Sequence, residues 1–262
     1  FRNYFKGGQF TEAVSAVGKV AVVTGGNTGI GLETVRELNL RGAKVYMLCR
    51  SEQRAAAAKS ELVESGCDGS RLIYVNCDLS SKENIRKAAA KLAECESSID
   101  ILINNAGVWT NGYEQTKDGH EMTWGTNHLG PFLLTELLLP LVEKSPEGRI
   151  VIVSSVAHTF SPVIDLASID LNDSKFDANK AYTKSKLANV MHSRELARLL
   201  KLKGSKVTVN SLHPGAIATE LVRDLSIPFK AFFFIFGRFL KTWKDGAQTS
   251  LYLALSTEVE GV

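Results

Sequence analysis

Short apolar runs alternate with longer stretches in which apolar residues recur every three or four positions. "KVAVVTG" (19–25) is apolar and β-branched and ends in glycine. The stretch "LETVRELNLRG" (32–42) has helical spacing and a glycine stop. "AKVYMLCR" (43–50), "RLIYVNCD" (71–78), "IDILINNAG" (99–107), "GRIVIVSS" (148–155) and "KVTVNSLHPG" (206–215) read as further strands. Helical patterns fill the intervals, at about 51–66, 81–96, 117–144 and 179–203. Repeated βα units of this kind predict an α/β chain whose parallel sheet is covered by helices on both faces. In such sheets ligands bind beyond the carboxyl ends of the strands, and the polar motifs discussed below sit at those ends.

Composition narrows the function classes only a little. The 262 residues, 44% hydrophobic, suffice for one sizeable core, and no repeat or linker divides them. With 31 basic and 28 acidic residues the net charge is +3, and no dense basic run points to nucleic acid. Cys49, Cys67, Cys77 and Cys95 lack CxxC spacing, so they read as reduced thiols without disulfide or zinc. His120, His128, His158, His192 and His213 show no metal spacing either, and no metal is expected. A structural place suits His158 as well as a place facing the substrate. The given residues carry no signal peptide and no apolar run of the roughly 18–20 residues that cross a bilayer. The chain starts at Phe1 rather than Met, so an anchor before it stays open.

Candidate chemistry begins with "TGGNTGIG" (24–31), after the first strand and before the first helix. Gly25 permits a tight turn, and Gly29 and Gly31 permit close backbone approach. Free N–H groups at a helix N-terminus then favour a pyrophosphate. The spacing departs from GxGxxG, with Thr34 where a third glycine would fall. The plainer alternative is an ordinary tight βα loop; its place in the βα series favours the nucleotide. At the end of the second strand, where a carboxylate would hold the 2′-OH of NAD, the chain reads Leu48-Cys49-Arg50. A guanidinium suits a 2′-phosphate, so the reading leans to NADP; the alternative is a solvated charge.

TGxxxGxG (Thr24 to Gly31), "NNAG" (Asn104 to Gly107), a serine after the fifth strand, YxxxK (Tyr182 to Lys186) and "HPG" (His213 to Gly215) occur in order. Together they resemble the short-chain dehydrogenase/reductase family over about residues 17–256. "YMLCR", "INNAGV", "NHLGPFLLT", "VSSVAH", "SKLANV" and "DGAQTSLYLAL" are similar to its retinol dehydrogenase branch.

The resemblance implies a Rossmann-type, doubly wound, three-layer αβα fold. It implies one domain over 1–262, with 17–256 as core and 217–243 as substrate lid. It implies NADP(H) as cofactor, held by Gly25, Asn27, Thr28, Gly29, Ile30 and Gly31, with Arg50 on the 2′-phosphate. Asp78 and Leu79 would flank the adenine, and Asn104, Asn105, Ala106 and Gly107 the adenosine ribose. Pro214, Gly215, Ile217 and Thr219 would close over the nicotinamide. Asn127 matches the asparagine that holds a proton-relay water, and Ser155, Tyr182 and Lys186 match the catalytic residues. Ser155 and Tyr182 lie 27 positions apart, wider than usual, which leaves Ser154 as an alternative.

The expected activity is interconversion of an apolar alcohol and its aldehyde or ketone, with retinol and retinal foremost. The alternatives are a carbonyl, steroid or lipid-aldehyde reductase of the same branch, or a non-catalytic NADPH-binding protein. A free phenol with a pKa near 10 is a poor acid at neutral pH, and an ammonium one helical turn away is expected to lower it. "IPFKAFFFIFGRFL" (227–240) holds six phenylalanines between Lys230 and Arg238 or near them. It reads as a lid that contacts a membrane surface; a dimer or core helix is the plainer alternative. Association with the endoplasmic reticulum membrane is implied by the resemblance, and a cytoplasmic place otherwise. A homo-oligomer through the helices around 117–144 and 179–203 is a further expectation.

Overall fold

The β-branched runs form six strands in the computed structural model, which describes residues 7–166, 169, 176–215, 217 and 241–259. They are β1 (Val20–Thr24), β2 (Lys44–Cys49), β3 (Leu72–Asn76), β4 (Ile101–Asn104), β5 (Arg149–Val153) and β6 (Thr208–Leu212). All pair in parallel in the order β3-β2-β1-β4-β5-β6. Parallel pairing follows from helical crossovers between strands. These helices are α1 (Gly29–Leu40), α2 (Glu52–Glu64), α3 (Lys82–Cys95), a composite α4 and α5 (Ala178–Leu202), with α6 (Trp243–Leu255) after β6.

Successive strand residues point to opposite faces, and both faces are covered. Val23, Val45 and Met47 join Leu38 of α1 and Leu251 of α6 on one side. Val22, Leu48 and Leu102 join Leu92 of α3 and Leu134 of α4 on the other. This is why the strands read as unbroken apolar runs rather than alternating ones. One charge is buried in them: Arg149 of β5 donates to the carbonyls of Ser256 (2.6 Å) and Leu253 (3.3 Å), satisfying the carboxyl end of α6.

Two boundaries differ from the sequence expectation. The helix predicted from 117 starts at Met122, because residues 115–121 close a tight turn with Gly119 at φ +83° and an antiparallel Gln115–Glu121 bridge. The buried Glu121 carboxylate then caps the new helix by accepting from Thr123 N (2.8 Å) and Trp124 N (2.7 Å). Helix α4 runs through Met122–Trp124, a π-helical turn Gly125–Leu129, and Gly130–Val142. Residues 10–12, ahead of the expected core, also pack: Phe10 N donates to Gln248 Oε1 (2.9 Å), and Arg41 Nη1 donates to Glu12 O (2.6 Å). Among the described residues, no helix is long and apolar enough to cross a membrane.

Candidate active site

The strand order reverses between β1 and β4, and their carboxyl ends open a cleft there. Thr24 fastens the two lips: its hydroxyl accepts from Asn105 N (2.9 Å) and Ala106 N (3.0 Å), and its carbonyl accepts from Asn105 Nδ2 (3.0 Å). The glycine turn sits above this lock. Gly31 is required by packing, since a Cβ there would lie 2.2 Å from Gly25 O. Gly29 differs: its φ is +58°, and a Cβ would meet nothing within 4 Å, so its outer side faces open space. Thr28 is the N-cap of α1 and makes no side-chain cap bond. By contrast Ser51, Ser81 and Asp177 cap α2, α3 and α5. The first turn of α1 thus keeps free N–H groups and holds no acidic residue, which fits a pyrophosphate.

The other expected cofactor positions divide into lining and fastening residues. Ile30 is buried against Ile217, which in turn reaches Gly246 of α6 and pairs with Lys241. The N–H groups of Gly26 and Asn27 point at the buried Cys49 sulfur, whose thiol burial pushes up to about 12. Arg50 is exposed at the end of β2, with no carboxylate beside it in sequence. Asp78 faces it; burial raises the Asp78 carboxyl, but the Ser80 hydroxyl and N–H with the Arg50 and Lys117 charges bring it below the usual range. Leu79 is buried under α4. The Asn104 side chain turns inward, Nδ2 donating to Thr135 Oγ1 (2.8 Å), and so ties β4 to α4. Asn105 ties β4 to β1, which leaves Ala106 and Gly107 to face the cleft. A Cβ on Gly107 would lie 3.4 Å from both Asn127 Oδ1 and Lys186 Nζ. Pro214 is buried and Gly215 has φ +98°. Thr219 and the phenylalanine-rich stretch 227–240 lie outside the described residues.

Ser155, Tyr182 and Lys186 converge at the carboxyl end of β5. The two serines separate cleanly. Ser154 is buried, and its hydroxyl donates to Lys186 O at 2.7 Å, holding α5 to β5. Ser155 turns outward and its hydroxyl interacts with the Tyr182 side chain. Its oxygen also accepts from Ala157 N (3.2 Å) at the head of the 3-10 turn Val156–Phe160. His158 is occupied structurally, with Nδ1 2.6 Å from Ser155 O.

The electrostatics differ from the sequence expectation. Burial raises the Tyr182 phenol above its ordinary value, and the Ser155 hydroxyl offsets this only in part. Lys186 Nζ lies 5.6 Å from the centre of the phenol ring and donates to Val153 O (3.2 Å). Burial also lowers the Lys186 ammonium to about 8. Helical spacing brings the two groups together, yet in the chain alone loss of water governs both shifts.

The sequence reading named Asn127 for a relay water but missed Ser185, Asn189 and Trp109, which with it tie this cluster together. Asn127 commits both its side-chain donors and its oxygen to the scaffold: Oδ1 accepts from Val108 N (2.7 Å), and Nδ2 donates to Val108 O (2.9 Å) and Ser185 Oγ (3.1 Å). Ser185 in turn donates to Tyr182 O (2.7 Å). Asn127 lies in the π turn, where the wider winding loosens the carbonyl ladder; its own carbonyl accepts from Asn189 Nδ2 (3.0 Å). Trp109 stacks on Tyr182. No periodicity signals these contacts, because they join segments far apart in sequence.

Residues 19–228 match the family described as short chain dehydrogenase. The chain belongs to the short-chain dehydrogenase family, and it is an oxidoreductase of the kind that acts on CH–OH groups with a nicotinamide cofactor. Within the family it is similar to retinol dehydrogenases. It is 44% identical to human retinol dehydrogenase 12 over 261 residues, which cover 99% of this chain and 80% of that one. It is 43% identical to mouse retinol dehydrogenase 14 over 258 residues, covering 94% and 76% respectively. Among solved structures, a Mycobacterium paratuberculosis protein superimposes with a TM-score of 0.76 at 33% identity, covering 95% of this chain and 81% of the other. The Pseudomonas aeruginosa RhlG/NADP active-site complex gives 0.71 at 26% identity, covering 95% and 94%.

Proposed function

We propose that the protein interconverts an apolar alcohol and its aldehyde or ketone with NADP(H), and that retinol and retinal are the leading pair. The observation that carries the reading is the meeting of Ser155, Tyr182 and Lys186 beside Gly107, at the mouth of the cleft under the uncapped helix α1. The Ser155 hydroxyl donates to the substrate oxygen as negative charge develops there. The Tyr182 hydroxyl gives its proton to that oxygen during reduction and takes it back during oxidation. Lys186, held by Val153 O, stabilises the phenolate left behind. The bound nicotinamide supplies or accepts the hydride, and its ribose would lie against Lys186. The free N–H groups of α1 would hold the pyrophosphate.

Arg50, at the end of β2 where no carboxylate stands next to it in sequence, supports NADP over NAD, and the RhlG complex carries NADP. The names of the relatives support retinol. The six phenylalanines of 227–240, with Lys230 and Arg238, support contact with a membrane surface that delivers an apolar substrate. The deciding measurement is NADPH oxidation by the purified protein across retinal, straight-chain aldehydes and ketosteroids. Retinal should give the highest kcat/KM; a ketosteroid in first place would give the neighbouring reductase reading instead. Tyr182→Phe should keep NADPH binding and lose about 10²-fold or more in turnover. Wild-type turnover in that variant would refute the mechanism.

A further inference from the structure

The indole of Trp109 lies face to face with the Tyr182 phenol, ring centres 4.6 Å apart and planes 10° from parallel. This is a stacked aromatic pair, and it covers one face of the phenol. Trp109 is only half-buried, so the stack with Tyr182 leaves part of the residue accessible. Its position is pinned on both sides. Val108 is clamped by two hydrogen bonds to Asn127, at 2.7 and 2.9 Å. Thr110 shares a hydroxyl–hydroxyl bond of 3.1 Å with Thr123. The Asn127 amide also bonds Ser185, and Ser185 bonds the Tyr182 carbonyl. Tyr182, Ser185, Asn127, Val108 and Trp109 thereby close a ring of contacts, and the stack is the link that completes it.

We propose that Trp109 is a specificity-determining residue: a fixed aromatic wall beside Tyr182 that favours planar, conjugated or aromatic carbonyls and alcohols over saturated ones of equal length. The proposal rests on the reading of this site as one for apolar carbonyls. A carbonyl oxygen held by the Ser155 and Tyr182 hydroxyls brings its α and β carbons beside the indole. When those carbons are conjugated they are coplanar with the carbonyl and can pack flat on the extended ring surface. A saturated chain must freeze several rotors to lie flat and offers no π face. Asn127 is, on the same argument, the positioning residue for the wall through its grip on Val108.

The test compares wild type, Trp109→Leu and Trp109→Phe with NADPH and two substrates, retinal and hexadecanal. The ratio of kcat/KM values, retinal over hexadecanal, should fall about 10-fold in Trp109→Leu, equivalent to about 1.4 kcal/mol. Trp109→Phe, which keeps a ring, should restore most of the ratio. A role in packing alone would depress both substrates alike, and an unchanged ratio in Trp109→Leu overturns the proposal. Retinal binding to the NADP+-loaded protein, read by tryptophan quenching in wild type and by retinal absorbance in both, supplies a readout free of turnover. Should wild type reduce neither aldehyde, the oxidoreductase reading fails on its own account. The titration still decides: about 10-fold weaker retinal binding in Trp109→Leu upholds the wall, and equal binding removes it.

Discussion

Replacing Lys186 by methionine should stabilise the protein while disabling it. Lys186 is 4% exposed and its ammonium is lowered from an ordinary 10.5 to about 8 by burial. In the unfolded chain the ammonium regains water. At about 1.36 kcal/mol for each pH unit, that difference amounts to a cost of roughly 3 kcal/mol. The sign follows from proton binding. Between about 8 and 10.5 the unfolded state holds a proton that the folded state has released, so stability rises with pH through that window. Below about 8 the full cost is present; above 10.5 it is gone. Methionine fills similar space and carries no charge, though it forfeits the bond to Val153 O, worth about 1 kcal/mol. Urea unfolding of the cofactor-free protein should therefore show Lys186→Met more stable than wild type by about 2 kcal/mol at pH 7. The advantage should shrink as pH climbs past 8, vanish before 10.5 and turn into a deficit of about 1 kcal/mol above it, where only the lost bond to Val153 O remains. Other groups titrate in this range in both proteins and cancel in the difference. A variant less stable at pH 7, or a gap that ignores pH, would show that the ammonium is not desolvated as described. Turnover should fall sharply in the same variant, since the stabilised phenolate loses its cation.

Arg50→Ala should weaken NADPH by about one to two orders of magnitude and leave NADH unaffected, measured by fluorescence titration; equal preference before and after would refute the 2′-phosphate role. Ser155→Ala should lower kcat by roughly 10²-fold, whereas Ser154→Ala should keep turnover and cost about 1 kcal/mol of stability through the lost bond to Lys186 O. The reverse outcome would exchange their roles. Paired Phe→Ser changes at Phe233 and Phe236 should raise KM for retinal more than for a short aldehyde and reduce co-sedimentation with anionic liposomes. A uniform loss of thermal stability instead would mark that segment as packing surface.

The order of elements was legible in the chain because it depends on local pattern. β-branched runs covered on both faces must be continuous, and amphipathic stretches between them must cross over, so the parallel sheet follows without knowledge of any contact. The glycine turn and the Tyr182–Lys186 spacing were legible for the same reason: each lies within one turn or one loop. Local pattern failed where a distant partner intervened. The helix expected from 117 is displaced to Met122 by the turn at Gly119 and the Glu121 cap. The bonds by which the Asn104 and Asn105 side chains fasten β4 to Thr135 and Thr24 are likewise invisible in the linear motif.

Only the tertiary structure decided the chemistry within the cluster. Ser154 and Ser155 are equivalent in sequence, but adjacent strand residues face opposite ways, and α5 takes one of them. The charge state of Tyr182 and Lys186 is set by how much water the fold removes, a quantity no spacing encodes. Trp109 meets Tyr182 across more than seventy positions through Asn127 and Ser185, because four segments converge at one end of the sheet. The sequence by itself determined which residues could react; the fold determined which of them are dry, which are held, and what surface lies beside the reacting oxygen.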